Sequence, residues 1–134
     1  EDIAKEFGSQ CMVLSIEAKQ INTNKWTPLT ESGREKTGLD VCDWAKRGED
    51  LGAGEILLTS IDREGTSTGF DLLLIEKVSR SVNIPIISSG GFGCLKDFDA
   101  GVASGASAIA IADALHYGKL NIKDLLEYRS SIEL

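Results

Sequence analysis

Two short apolar runs, Ile56–Leu58 and Ile84–Ile87, each break abruptly into small polar residues and glycine. Thr59, Ser60, Asp62, Gly65 and Thr66 follow the first; Ser88, Ser89, Gly90 and Gly91 follow the second. Consecutive glycines between a strand and a helix expose backbone N–H groups that can cradle a phosphate, although the same pair is compatible with a bare structural turn. Asp62 and Glu64 flank Arg63, which allows either an acid and base pair or a charged loop rim. A third apolar run, Cys11–Ile16, ends in Glu17-Ala18-Lys19. That is the strand end at which α/β barrels keep their chemistry; the alternative is a solvated Glu17 paired with Lys19. His116, the one histidine, sits beside Tyr117 and reads as packing or solvent-facing, and Cys94 has no histidine close in sequence to make it a nucleophile.

The positioning elements alternate. Asp2–Phe7 reads as a helix end closed by Gly8, with glycine supplying a left-handed cap. After the strand Cys11–Ile16, the polar stretch Gln20–Gly38 predicts a long loop with a small hairpin around Lys25–Leu29, and loops of that length in a compact domain are usually functional. Val41, Trp44, Ala45 and Leu51 are spaced as an amphipathic helix begun at Asp40 and ended at Gly52, with Trp44 in its core and Trp26 packing the loop. The second strand is Ile56–Ser60. Asp71 caps a helix reaching Ser81 whose stripe is Leu72, Leu74, Ile75 and Val78; the third strand is Pro85–Ser88. A short helix spans Asp97–Ser104, a fourth strand runs from Ala108 to about Ala112, and a last helix spans Ile122–Tyr128 before a polar tail. Gly105-Ala106-Ser107-Ala108-Ile109 echoes Gly52-Ala53-Gly54-Glu55-Ile56, a weak internal repeat. Four strand–helix units imply an α/β fold with parallel strands and right-handed crossovers. Four units cannot close an eight-stranded barrel, so open edges and an apolar interior call for a second half.

The words Gly-Ala-Gly-Glu-Ile-Leu-Leu-Thr-Ser-Ile-Asp-Arg-Glu-Gly-Thr and Pro-Ile-Ile-Ser-Ser-Gly-Gly resemble the cyclase subunit of imidazole glycerol phosphate synthase, a histidine-biosynthesis (β/α)8 TIM barrel. The resemblance runs from Phe7 onward and implies that residues 1–134 are the C-terminal half-barrel, strands five to eight. It implies that ammonia from a glutaminase subunit passes through the barrel and attacks a bisphosphorylated ribulosyl-formimino substrate, with no cofactor and no metal. Glu17 takes the catalytic carboxylate's place, where the family has aspartate, its partner lying after the first strand. Lys19, Thr59, Asp62, Gly65 and Thr66 become substrate contacts. Ser89, Gly90 and Gly91, with Ala112 and Asp113, become the phosphate-binding loops, Asp113 standing where the family usually has a small hydroxyl residue. Glu55 falls at the family's ammonia gate, although by itself it reads as an ordinary charge at the start of a strand. Glu17 and Asp113 also suit a paralogue feeding ammonia to a sugar-amidating enzyme, and the missing half suits a non-catalytic, self-associating phosphate binder.

At 134 residues the chain is one domain's worth. With 14 Lys and Arg against 21 Asp and Glu, its net charge of −7 disfavours nucleic acid or an acidic membrane as partner, so phosphate binding has to be local. Cys11, Cys42 and Cys94 lack metal-ligand spacing and fit reduced thiols in the cytoplasm. The start at Glu1, without methionine, suggests a fragment. Expected partners are the glutaminase subunit, a phosphorylated small molecule, and either an N-terminal half-barrel or a second copy in a homodimer.

Overall fold

A computed structural model describes residues 1–31 and 33–131. In chain order, α1 (Asp2–Phe7) and a 3-10 turn (Ser9–Cys11) lead into β1 (Val13–Asn22), β2 (Lys25–Thr30) and β3 (Glu35–Lys36). There follow α2 (Val41–Asp50), β4 (Glu55–Ser60), α3 (Leu72–Ser79), β5 (Ile86–Ser89), α4 (Leu95–Ala103), β6 (Ala108–Ile109), α5 (Asp113–His116) and α6 (Ile122–Ser131). They form one sheet in the order β3-β2-β1-β4-β5-β6. The four strands β1, β4, β5 and β6 are parallel neighbours, the α/β alternation expected of a (β/α) barrel segment.

The helices start where side chains can satisfy the first backbone N–H groups. Asp40 accepts from Cys42 N at 2.8 Å and Asp71 from Leu74 N at 3.2 Å, so both expected caps form. Asp97, expected to open the fourth helix, instead lies inside α4, its carboxylate accepting from Gly93 N and Cys94 N at 2.8 and 2.9 Å.

Several expectations are corrected. The first strand begins at Val13, because Cys11 is in the 3-10 turn, and it continues through Glu17 to Asn22. The extension exists because Gln20–Gly38 is mostly sheet: β2 turns back at Asn24, with φ of +58°, and pairs antiparallel with β1 from Ala18↔Pro28 to Asn22↔Lys25. Trp26 belongs to the core, fully buried and donating its Nε1–H to Asp71 at 2.8 Å, while Lys77 Nζ donates to the Asn24 carbonyl at 2.6 Å. The fourth strand is only Ala108–Ile109, after which α5 begins at Asp113. The last helix runs on to Ser131; Ser32 of the predicted loop and residues 132–134 of the polar tail lie outside the described residues.

Alternate strand residues face the helices. Ile16, Ala18, Ile56, Leu58 and Ile86 are buried there with Val41, Ala45, Leu74 and Val78, while Trp44, expected in the core, is only partly buried and packs at its margin. A second cluster of Phe70, Ile75, Phe92, Ala106 and Ala114 lies toward the β6 side. On the other face, the register aligns Val13 with Glu55, then Ser15, Leu57, Ile87 and Ala108, then Glu17, Thr59 and Ser89. These side chains are half-buried or exposed, because no helix covers them among the described residues.

Candidate functional site

Period-two alternation puts Glu17, Thr59 and Ser89 in one row across the carboxyl ends of β1, β4 and β5. With strands about 4.8 Å apart, Glu17 and Ser89 are roughly 10 Å from each other. The Glu17 carboxylate lies beside Gly33, where an added Cβ would sit 3.0 Å from Oε2. It has no hydrogen-bond or ion-pair partner among the described residues, so the pairing with Lys19 does not form.

Lys19 instead forms an ion pair with Asp62, whose Oδ2 also accepts from the Gln20 backbone N–H at 2.7 Å. Burial works against the charge on Asp62, but the Lys19 ammonium and the Gln20 amide outweigh it and hold the carboxyl below its ordinary range. Two of the expected substrate contacts therefore grip each other. Thr66 is committed to its own turn, its hydroxyl donating to the Arg63 carbonyl at 2.7 Å and lying 2.8 Å from Thr68 Oγ1. Gly65 has φ of +71° and open space where a Cβ would be.

Beside this row a small cleft is lined by Glu64, Gly65 and Ser67 from the loop after β4, Ser89–Phe92 after β5, and Ala110–Asp113 after β6. The structure thus brings together Ser89, Gly90, Gly91, Ala112 and Asp113, which are far apart in sequence. The N–H groups of Gly93 and Cys94 are taken by Asp97. Those of Gly90, Gly91 and Phe92 have no acceptor among the described residues, although all three residues are buried. Backbone N–H groups without partners are costly and rare in buried residues, and a run of them at residues that line one cleft is an arrangement that can take an anion. Both glycines are also demanded by the fold: a Cβ would lie 2.7 Å from the Ser60 carbonyl oxygen at Gly90 and 2.3 Å from that of Gly69 at Gly91. Phe92 anchors the loop in the second core cluster.

Asp113 is not the bare carboxylate that its place after the fourth strand suggests. Its Oδ2 accepts from Lys119 Nζ at 2.5 Å and from Ser67 Oγ at 3.1 Å. The Lys119 hydrogen bond, joined by that of Ser67, holds its pKa below the ordinary carboxylate value. Sequence reading missed both Ser67 and Lys119. The available signal was an acid just past a strand with a lysine six residues on, a spacing with no periodic meaning until α5 folds the chain back.

Glu55 is on the same open face but at its amino end, four residues and roughly 13 Å along β4 from Thr59. His116 is exposed, edge-on to the Tyr117 ring at 4.9 Å between centroids. The three cysteines are unpaired, and among the described residues no three His, Cys, Asp or Glu side chains come together as a metal site. Among those residues no helix is long and apolar enough to cross a membrane.

A family model described as "Histidine biosynthesis protein" matches residues 1–121. Among curated relatives, imidazole glycerol phosphate synthase subunit HisF of Legionella pneumophila is 61% identical over 98 residues, 73% of this chain and 46% of the relative. HisF of Prochlorococcus marinus strain MIT 9515 is 49% identical over 128 residues, 93% of this chain and 50% of the relative; HisF of strain MIT 9301 is 50% identical over 125 residues, 91% and 49%. The chain spans about half the length of the curated relatives it matches.

Proposed function

The chain belongs to the histidine biosynthesis protein family, and from that premise we propose that residues 1–134 are the C-terminal half-barrel of a cyclase subunit of imidazole glycerol phosphate synthase. The observation that carries the reading is the cleft lined by the buried residues Gly90, Gly91 and Phe92, whose N–H groups lack acceptors among the described residues, next to a row that ends in Glu17. Those amides receive one phosphate of the substrate, assisted by Ser89 and by the loop at Ala112 and Asp113. Thr59, in the row between Glu17 and Ser89, meets the body of the substrate, while Lys19, Asp62, Gly65 and Thr66 shape the rim.

Glu17 is the acid–base group. A carboxylate without a partner is available to take a proton from, or return one to, the closing ring, whereas Asp62 is occupied by Lys19 and Gln20. Ammonia arrives from a glutaminase subunit at the amino ends of the strands, past Glu55, and travels along the open face. The other half of the barrel covers that face and carries the opposing carboxylate. Such an enzyme works in the cytoplasm.

The test is ammonia-dependent turnover by the protein as its gene encodes it. Glu17→Gln keeps the size and removes the proton-transfer group, so the rate falls by about 10²–10⁴-fold; an unchanged rate refutes the assignment. Glu17→Asp restores the carboxylate length usual in the family and raises turnover. No gain there favours the second reading, a cyclase-like paralogue passing ammonia to a sugar-amidating enzyme, to which the longer Glu17 side chain points.

A further inference from the structure

An anion beside a proposed phosphate site is a contradiction in charge, and Asp113 lines the cleft together with Ser89, Gly90 and Gly91. The surrounding contacts resolve it. Lys119 Nζ donates to Asp113 Oδ2 at 2.5 Å and to Ser67 Oγ at 2.9 Å, and Ser67 Oγ donates to the same Oδ2 at 3.1 Å. The three groups close a triangle in which each touches the other two. Ser67 is fixed to the glycine loop, because its carbonyl oxygen packs against Gly93 so closely that a Cβ there would lie 2.2 Å away. Lys119 is held from its own side, its backbone N–H donating to the Ala114 carbonyl at 2.9 Å and its ammonium lying 5.7 Å from the Tyr117 ring centroid. Of the three groups, Ser67 and Asp113 line the cleft, and the ammonium reaches it through them.

We propose that Lys119 is a positioning and specificity-determining residue of this cleft: by neutralising Asp113 and fixing Ser67 it lets the unpaired amides of the glycine loop accept a phosphate monoester dianion. The inference rests on the phosphate-binding reading above. Without the ammonium, the cleft would present Asp113 and the carboxylate of Glu64, which has no partner among the described residues, to a doubly charged ligand, and two like charges a few ångströms apart in a half-buried site repel strongly. With it, the Asp113 side is neutral, and attraction comes from the amides. Lys119 acts through Asp113 and not as a phosphate ligand. That distinction can be tested, because removing both partners should undo the damage of removing one.

Titration calorimetry with inorganic phosphate, on the protein as its gene encodes it, provides the test, with a thermal melt on each variant. Lys119→Met weakens binding by about tenfold or more, the scale of one exposed charge pair. Lys119→Arg stays within about threefold of the parent, since the charge and donors remain. Asp113→Asn binds at least as tightly as the parent, and the double variant Asp113→Asn/Lys119→Met returns to within about threefold of it. A double variant as weak as Lys119→Met overturns the proposal and makes Lys119 a direct ligand; a Lys119→Met variant with parental affinity overturns it outright. Should Lys119→Met fail to fold, a loss of affinity in Asp113→Asn overturns it equally. If the parent protein binds no phosphate, the reading of the glycine loop falls, and this inference with it.

Discussion

The two faces of one sheet behave as different materials. On the helix side, Ile16 is 1% exposed and Ala18, Ile56, Leu58 and Ile86 no more; on the open side, Val13, three residues before Ile16, is 47% exposed, and Leu57 and Ile87, each one residue along from a buried neighbour, are half-buried. Composition differs as sharply as burial. The helix face is aliphatic up to the last turn of each strand, whereas the open face passes from Glu55 through Ser15, Leu57 and Ile87 to Glu17, Thr59 and Ser89. Parallel strands with both faces buried are usually apolar throughout. Here the alternation separates a face that holds the fold from a face that carries polar groups, and both roles fit within six residues of β4.

The loops repeat the contrast at smaller scale. Asp62 and Glu17 stand at the same edge of the sheet, yet Asp62 is tied by Lys19 and the Gln20 amide while Glu17 has no partner among the described residues. A tied carboxylate shapes a site; an untied one is available for proton transfer. Gly91 and Gly65 divide in the same way, the first wedged against the Gly69 carbonyl and the second facing open space.

The largest expected effect contrasts the two faces directly. Leu58→Ala removes a fully buried side chain from the helix face and costs about 2–5 kcal/mol in urea denaturation. Leu57→Ala, the same change one residue earlier on the open face, costs less than about 1 kcal/mol in this chain. Equal losses would break the comparison and mean that the open face is covered in solution. Next comes the pair of glycines. Gly91→Ala, at φ of +104° and with its Cβ driven to 2.3 Å from a carbonyl oxygen, forces the loop to move and costs about 1–3 kcal/mol or more. Gly65→Ala meets only the backbone penalty of its φ of +71°, about 1–2 kcal/mol, so the first thermal midpoint should lie below the second.

The smallest effect concerns Asp62. Its folded pKa is depressed, so its contribution is fully present above the ordinary value of 3.8 and is lost as pH falls through the lower folded value. Thermal midpoints from pH 5 down to pH 2 should therefore drop less steeply in Asp62→Asn than in the parent. With the pair partly exposed, the difference is under about 1 kcal/mol. Identical slopes would show that the Lys19–Asp62 pair adds nothing to stability.

Much of this was legible in the chain itself, because the signals were local. Asp40 and Asp71 announce helix starts, the runs read as ending at Ser60 and Ser88 announce strand ends that the structure places at Ser60 and Ser89, and Gly90-Gly91 announces a turn with exposed amides. The hairpin was harder. A Gln20–Gly38 segment rich in polar residues looks like a loop, and only the burial of Trp26 against α3, with its indole N–H on Asp71, makes it sheet.

By itself, the sequence determined the parallel α/β alternation, the strand ends that carry polar groups, and the family, since caps, periodicity and motif words are properties of neighbouring residues. Only the tertiary structure decided who pairs with whom. Lys19 chose Asp62, 43 residues away, over Glu17 two residues away, because successive same-face residues on a strand lie side by side along its axis while the loop after β4 folds over the end of β1. Lys119 reached Asp113 and Ser67 because α5 reverses the chain between them, a contact between residues 52 positions apart that no spacing rule encodes. Charge pairing is set by distance in space, and it decides which carboxylates are tied, as Asp62 and Asp113 are, and which have no partner among the described residues, as Glu17 and Glu64 do.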